Sequence, residues 1–126
     1  MNLVDSSGWL EYFADGPNAG MFAVPIQQLD QLIVPSITVT EVFKRILQQR
    51  DEQAALRAIA HMNQGRVIDL DINLAMKAAK FGFELKLPLA DSIILATASH
   101  YGALLWTQDE DFRELPSVRY VPKKPR

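Results

Sequence analysis

Four acidic residues occupy comparable places in the sequence, close to where short apolar stretches end. Asp5 and Asp109 each come just after such a stretch, which is predicted to be a strand. Glu41 lies on the helix that follows another apolar stretch, and Asp91 lies in the first turn of an apolar helix that begins after Pro88. Because the ends of parallel strands meet at one edge of a sheet, the fold can bring all four carboxylates to a single crevice.

Carboxylates gathered in one crevice favour a bound metal ion. Like charges a few ångströms apart raise each other's pKa, so the four groups cannot all stay ionised unaided. A divalent cation relieves this repulsion, and hard oxygen ligands suit Mg²⁺ or Mn²⁺. The pattern therefore predicts metal-assisted chemistry at the crevice.

Each acidic residue also has an ordinary structural explanation. Asp91 can complement the positive end of its helix dipole or cap its free N–H groups. Asp5 can form an Asx turn, and Glu41 can be an exposed helix residue or lie beside Lys44 or Arg45. The metal hypothesis depends on the four occurring together.

Length and composition limit the classes of protein to consider. The chain has 126 residues, of which 48% are hydrophobic and 22% charged, so we expect one domain over residues 1–126. It contains no cysteine, which excludes disulfides and thiolate metal sites. A net charge of −2 gives no overall attraction to nucleic acid, so binding it requires local basic patches. Neither a signal peptide nor an apolar run of about 20 residues is visible, and we expect a cytoplasmic location.

Predicted strands and helices alternate along the chain. Strands are predicted at Asn2–Asp5, Leu32–Val34, Arg66–Leu70, Ala103–Trp106 and Val118–Val121. Helices are predicted at Trp9–Phe13, Asn18–Leu29, Ile37–Gln49, Asp51–Gln64, Asp71–Glu84 and from about Asp91 to Tyr101, with Pro25 shortening or kinking the second. This alternation predicts an α/β fold with a mainly parallel central sheet between helix layers. The basic tail, residues 122–126, is expected to be loose.

Several other catalytic classes lack their motifs. The chain has no glycine-rich dinucleotide fingerprint, no P-loop and no Gly-x-Ser-x-Gly elbow. His61 and His100 fall within or at the end of predicted helices, where a surface or dipole-satisfying role is favoured over catalysis. Acid–base chemistry is therefore left to the carboxylates and to metal-bound water.

Four segments of the sequence resemble the motifs of a known family in their order and spacing, over nearly the whole chain. The segments are Leu3-Val4-Asp5-Ser6-Ser7, Val39-Thr40-Glu41-Val42, Leu89-Ala90-Asp91-Ser92-Ile93-Ile94 with Ala96-Thr97-Ala98, and Leu105-Trp106-Thr107-Gln108-Asp109-Glu110-Asp111-Phe112. In these segments the sequence resembles PIN-domain proteins, most closely the VapC-type toxins of toxin–antitoxin pairs. That resemblance implies a three-layer α/β/α PIN-like fold with the first strand central in the sheet.

The resemblance implies a Mg²⁺- or Mn²⁺-dependent endoribonuclease and gives each residue a role. The carboxylates at the site would be those of Asp5, Glu41, Asp91 and Asp109, with Asp5 and Asp91 as the most direct metal ligands. Asp109 is the weakest match, and Glu41 is the best candidate to accept a proton from the attacking water. Ser6 and Thr107 match polar positions that orient the carboxylates or bound water. Asp111 is interpreted as a structural cap and Phe112 as a core residue.

The resemblance also implies partners and leaves alternatives open. It implies a homodimer, an RNA substrate and a cognate VapB-like antitoxin whose C-terminal segment blocks the acidic site. The candidate groove residues, for which ordinary core is the favoured explanation because aromatic residues at helical spacing are usually buried, are Trp9, Tyr12, Phe13, Met21, Phe22 and Phe43. The alternatives are a catalytically silent PIN-like module that binds RNA or a partner, and a metal-dependent nuclease of RNA maturation, or one acting on DNA, outside a toxin–antitoxin pair.

Overall fold

The five predicted strands form one sheet in a computed structural model of the protein, which describes residues 1–125. Arg126, the end of the predicted tail, lies outside the described residues. All strand pairs are parallel, and the order across the sheet is β3-β2-β1-β4-β5, which confirms the predicted central place of the first strand. β1 spans Asn2–Val4, β2 Leu32–Pro35, β3 Arg66–Ile68, β4 Leu104–Thr107 and β5 Val118–Tyr120.

Helices cover both faces of this sheet, as the alternating pattern predicts. Within residues 1–125 they are α1 Ser6–Phe13, α2 Ala19–Ile26, α3 Ser36–Gln49, α4 Glu52–Met62, α5 Ile72–Leu85 and α6 Leu89–Tyr101. No helix in that range is long and apolar enough to cross a membrane. The predicted α/β/α arrangement is therefore confirmed, with a sheet that is entirely rather than mainly parallel.

Successive side chains of each strand point to opposite faces of the sheet, and the protein therefore has two separate cores. In β1, Val4 packs with α1 to α4 on one face, whereas Leu3 packs with α5 and α6 on the other. β4 repeats this division, since Trp106 joins the first core and Leu105 the second. Because both faces are covered, the strands are apolar almost throughout, as is usual for a parallel sheet.

The strand order creates a natural binding position between β1 and β4. The chain runs from β1 outward to β2 and β3, and then returns past β1 to β4 and β5. Connections therefore leave the neighbouring ends of β1 and β4 in opposite directions, which opens a crevice at their carboxyl ends. In the register of this pair Val4 lies beside Trp106, so Asp5 and Thr107 follow side by side.

Element boundaries differ from the prediction at two places that matter here. α1 begins at Ser6 rather than Trp9, because the side chain of Asp5 caps it. Gly8 in its first turn fits against β1 and α2, since a Cβ there would lie only 2.6 Å from Val4 Cγ1. α2 ends at Ile26 instead of Leu29, one residue after the helical Pro25.

Candidate active site

Asp5 is buried at the carboxyl end of β1 and is held on both carboxylate oxygens. Its Oδ1 accepts hydrogen bonds from Ser7 Oγ at 2.7 Å and from the Gly8 backbone N–H at 3.0 Å. Its Oδ2 accepts from Thr107 Oγ1 at 2.6 Å. Asp5 is thus the N-cap of α1 rather than only the former of an Asx turn, and it is also fixed in orientation across to β4.

Thr107 connects the first strand to the loop that carries Asp109. Its hydroxyl donates to Asp5 and accepts from the Asp109 backbone N–H at 2.9 Å. A second link runs through Ser7, whose Oγ accepts from the Gln108 backbone N–H at 3.2 Å. Because Thr107 is fully buried, this hydroxyl is shielded from water and both of its bonds are well defined.

Glu41 reaches the same crevice from α3 and is held there by Ser6. The Ser6 hydroxyl donates to Glu41 Oε1 at 2.8 Å. Since Ser6 is the first residue of α1 and Glu41 is in the second turn of α3, this bond joins the N-terminal ends of two helices. The bond engages one carboxylate oxygen, Oε1, and leaves Oε2 for other chemistry.

Asp91 does not use its carboxylate to cap α6. The N-cap position is Pro88, and no side-chain hydrogen bond caps the helix. Asp91 is half-buried in the first turn, on the edge of a helix whose middle is buried on nearly all sides. The capping explanation for Asp91 is therefore wrong, and the carboxylate is directed instead to the crevice.

Asp91, Asp109 and Asp111 together form a compact group of oxygens. One carboxylate oxygen from each lies within 4.8 Å of the other two. Asp109 also caps the 3₁₀ turn Glu110–Phe112, accepting from the Asp111 backbone N–H at 2.9 Å. The predicted capping role of Asp111 is therefore wrong, because Asp109 is the cap, whereas the predicted burial of Phe112 in the core is confirmed.

Asp91 is repelled electrostatically by four other carboxylates. Burial raises the pKa of Asp91 to about 7, helped by repulsion from Asp109, Asp111, Asp5 and Glu41. Burial likewise raises the pKa of Asp5 to about 6, against the lowering effect of its three hydrogen bonds. We name these five residues the acidic cluster. Its members follow β1 and β4 or lie in the second turn of α3 and the first turn of α6.

The donor set of the acidic cluster fits a hard divalent cation. Only oxygen ligands converge there. Oxygens bound about 2.1 Å from a magnesium ion are separated from one another by distances that match the spacing in the Asp91, Asp109 and Asp111 group. That group shares Asp91 with the predicted ligand pair but contains Asp109 and Asp111 in place of Asp5. The pKa values of Asp5 and Asp91 are raised because ionisation of these carboxylates puts negative charge where water is largely excluded. A bound cation would offset that charge.

Sequence reasoning missed the roles of Ser7 and Asp111. Ser7 has no assigned role in the sequence analysis, although a hydroxyl two positions after an N-cap aspartate is a signal for a bond to that carboxylate. Asp111 carried a weaker signal, a second carboxylate two residues beyond Asp109. Its proximity to Asp91 is a contact between the 3₁₀ turn and α6, which no local sequence pattern shows.

The Thr107 hydroxyl provides a test of this framework. We expect Thr107→Val to reduce metal-dependent cleavage about 10- to 100-fold, as for other lost supports of metal ligands. The variant removes a hydrogen-bond donor that lowers the pKa of Asp5. It also leaves the Asp109 backbone N–H without its acceptor, which should cost about 1–3 kcal/mol of stability. Cleavage rates as a function of Mn²⁺ concentration and denaturant unfolding measure the two effects. Thr107→Ser is the matched control, and a Thr107→Val protein with the metal dependence of wild type would contradict the assignment.

Comparison with known proteins identifies the fold family. The PIN-domain family model matches residues 3–118, a range that contains the whole acidic cluster. No curated protein sequence matches the chain.

Solved structures of toxin–antitoxin proteins share the fold over nearly the full chain. A toxin–antitoxin complex from Klebsiella pneumoniae is 26% identical, with 94% of this chain and 96% of that chain covered and a TM-score of 0.80. VapC20 of Mycobacterium tuberculosis, a toxin that cleaves the sarcin–ricin loop, is 17% identical, with coverages of 99% and 100% and a TM-score of 0.77. VapBC-1 of nontypeable Haemophilus influenzae is 19% identical, with both coverages 96% and a TM-score of 0.72. The family match and the parallel sheet together show that the chain belongs to the PIN-domain family.

Proposed function

We propose that this protein is a VapC-type toxin, a Mg²⁺- or Mn²⁺-dependent endoribonuclease of a toxin–antitoxin pair, with residues 1–126 forming one PIN domain that acts in the cytoplasm. The observation that carries the proposal is the convergence of five carboxylates at the crevice between β1 and β4. The likeness to toxin–antitoxin structures over nearly the whole chain supports the toxin class. The PIN domains of VapC toxins are nucleases.

Different residues of the site would bind the metal and orient its ligands during phosphodiester hydrolysis. Asp91, Asp109 and Asp111 would hold the metal, with Asp5 beside them as the predicted further ligand. A bound divalent ion supplies a Lewis acid that neutralises phosphoryl charge and makes water nucleophilic. Thr107 and Ser7 keep the Asp5 carboxylate in one orientation, so no reorganisation is needed when substrate binds.

Glu41 would receive the proton of the attacking water. Ser6 donates to Glu41 Oε1 and so orients the group, and the proton would be accepted at Oε2. Glu41 is also one of the carboxylates that raise the pKa of Asp91, which supports a role for Glu41 in the same crevice. Ser6 is thus a positioning residue that acts through Glu41.

Two surfaces fit the partners implied by this function. A cavity of about 310 Å³ is lined by Leu10, Phe13, Ile46, Arg50, Arg57 and His61, among others, and offers apolar and cationic contacts to an antitoxin peptide. It lies at the C-terminal ends of α1 and α3, whereas the acidic cluster lies at their N-terminal ends. Of the predicted groove residues, Trp9 and Phe22 are fully buried core instead.

A second surface suits a homodimer. Ile72, Met76 and Phe83 project from one side of α5, and Leu89 begins the adjoining α6. All four are exposed, and Phe83 is 86% exposed. Large apolar side chains concentrated in this way are typical of protein interfaces.

RNA cleavage by the purified protein tests the proposal. We expect Mn²⁺- or Mg²⁺-dependent cleavage that chelator stops, growth arrest on expression, and relief of that arrest by a small protein encoded beside this gene. RNA binding without cleavage under any metal would indicate a silent module instead. Cleavage without growth arrest would indicate a nuclease of RNA maturation. The mass of the protein in solution tests the homodimer separately.

A further inference from the structure

The acidic cluster poses a problem for a nuclease, because a polyanionic substrate must approach five carboxylates. The chain as a whole has a net charge of −2 and gives no general attraction. Local cations near the cluster are therefore required if RNA is to bind with useful affinity. The structure places such cations on one side of the cluster.

A crevice directly beside the cluster is bordered by β5 and the basic tail. We name it the tail crevice; its volume is about 390 Å³, and it is lined by Gln108, Asp109, Glu110, Asp111, Tyr120, Pro122 and Lys123. Lys123 is the cation of this lining and Tyr120 its aromatic ring. Among residues 1–125, no salt bridge occupies the Lys123 ammonium, so it is available to an external anion.

Tyr120 and the base of the tail are fixed relative to the cluster. Tyr120 is paired in register with Thr107, the residue that holds both Asp5 and Asp109. The next residue, Val121, donates its backbone N–H to Thr107 O at 2.8 Å. The Pro122 carbonyl accepts from Asn18 Nδ2 at 2.9 Å. The predicted loose tail is therefore anchored at its base.

A second crevice continues the path away from the cluster. It shares Tyr120 and Pro122 with the tail crevice and adds Arg119 and Lys124. The Arg119 guanidinium lies over the Trp106 ring, 5.1 Å from its centroid, which gives it a defined position. Three cationic residues, Lys123, Arg119 and Lys124, thus line two crevices that share Tyr120 and Pro122.

We propose that β5 and the tail bind the RNA strand on one side of the scissile phosphate, with Tyr120 stacking on a base and Lys123 pairing with a phosphate. The inference rests on the proposed ribonuclease function and adds a substrate-binding subsite to it. Stacking on an aromatic ring and pairing with lysine are the usual means of holding a single strand without reading its sequence. Arg119 and Lys124 extend the phosphate contacts to the next nucleotides.

RNA binding as a function of salt concentration tests the subsite. The probe is a fluorescently labelled single-stranded RNA of about 12 nucleotides, and its anisotropy is measured with chelator present so that it is not cleaved. We expect Lys123→Gln to weaken binding and to reduce the slope of log affinity against log salt by about 0.7, the value for one lost phosphate contact. Lys80→Gln, at an exposed position on α5 that lines neither crevice, is the matched control.

The stacking role of Tyr120 is tested by one substitution that removes the aromatic ring and one that keeps it. We expect Tyr120→Leu to weaken RNA binding about tenfold, and Tyr120→Phe to restore affinity to within about twofold of wild type. In cleavage assays with Mn²⁺, Lys123→Gln should raise KM by a larger factor than it lowers kcat, since the contact is made before the chemical step.

The possible outcomes separate this inference from the proposed function. If wild type cleaves RNA but Lys123→Gln keeps its affinity and salt slope, the subsite is refuted and the nuclease assignment stands. The same result is expected if the tail contacts a protein partner instead of RNA. If wild type neither binds nor cleaves RNA, both proposals fail.

Discussion

Replacement of Asp91 by asparagine is expected to reduce metal-dependent RNA cleavage by at least about 100-fold. Loss of an outer-shell support alone costs about 10- to 100-fold in metal affinity or activity, and Asp91 belongs to the group that would bind the ion itself. The fold should survive, because Asp91 caps nothing and is only half-buried. Asparagine also removes a charge that four neighbouring carboxylates repel.

A matched carboxylate at the same edge of the sheet provides the control for Asp91. Asp69 directly follows β3, but it is exposed and is not among the carboxylates that raise the pKa of Asp91. Asp69→Asn should therefore cleave RNA and arrest growth as wild type does. The measurements are cleavage rate over a range of Mn²⁺ concentrations, growth on expression, and thermal unfolding. An Asp91→Asn protein that still arrests growth would refute the assigned site.

The sheet and its main functional edge could be predicted from the sequence because they follow from local patterns. Short apolar strands alternate with amphipathic helices, and this alternation alone indicates parallel pairing with both faces covered. Asp5 and Asp109 could be placed because each follows a strand, so the shared edge of a parallel sheet brings them together. The central place of β1 could be predicted only from the family resemblance, since local sequence patterns do not determine the order of strands in a sheet.

What could not be predicted depends on contacts between segments distant in sequence. The predicted metal ligands were Asp5 and Asp91, whereas the compact oxygen group joins Asp91 with Asp109 and Asp111. Asp5 lies outside that compact group, and its two oxygens accept hydrogen bonds, one of them from Thr107, about a hundred residues away. The subsite at Tyr120 likewise depends on the pairing of β5 with β4.

The aromatic residues of α1 and α2 show the same limit of sequence patterns. Helical spacing indicates that Trp9, Phe13 and Phe22 share an apolar face, but it does not say which of them the neighbouring elements cover. In the fold, Trp9 and Phe22 are fully buried, while Phe13 remains on the wall of the cavity near His61. Coverage depends on how the helices and strands of the first core pack together, which is a tertiary property.

Without metal, the protein is expected to lose stability as the pH rises from about 4 to about 7. The pKa of Asp5 and Asp91 is raised from 3.8 to about 6 and about 7, so the folded protein binds more protons than the unfolded chain across this interval. A group with a raised folded pKa stabilises the fold fully below its unfolded pKa, and that contribution is lost through the folded pKa. For the buried Asp5 alone the loss is on the order of 2–3 kcal/mol, or several degrees in melting temperature.

A divalent ion should reverse this trend, because it binds the ionised folded site and stabilises it by mass action. Melting temperatures between about pH 5 and about pH 7.5, with chelator and with saturating Mn²⁺, give the comparison. The increase in melting temperature caused by metal should grow with pH in wild type and in Asp69→Asn, and should nearly vanish in Asp91→Asn. Asp5→Asn should keep the α1 cap and flatten the pH dependence measured in chelator. If wild type and Asp91→Asn gained equally from metal at every pH, the ion would be bound elsewhere, and the acidic cluster would not be the catalytic site of this PIN domain.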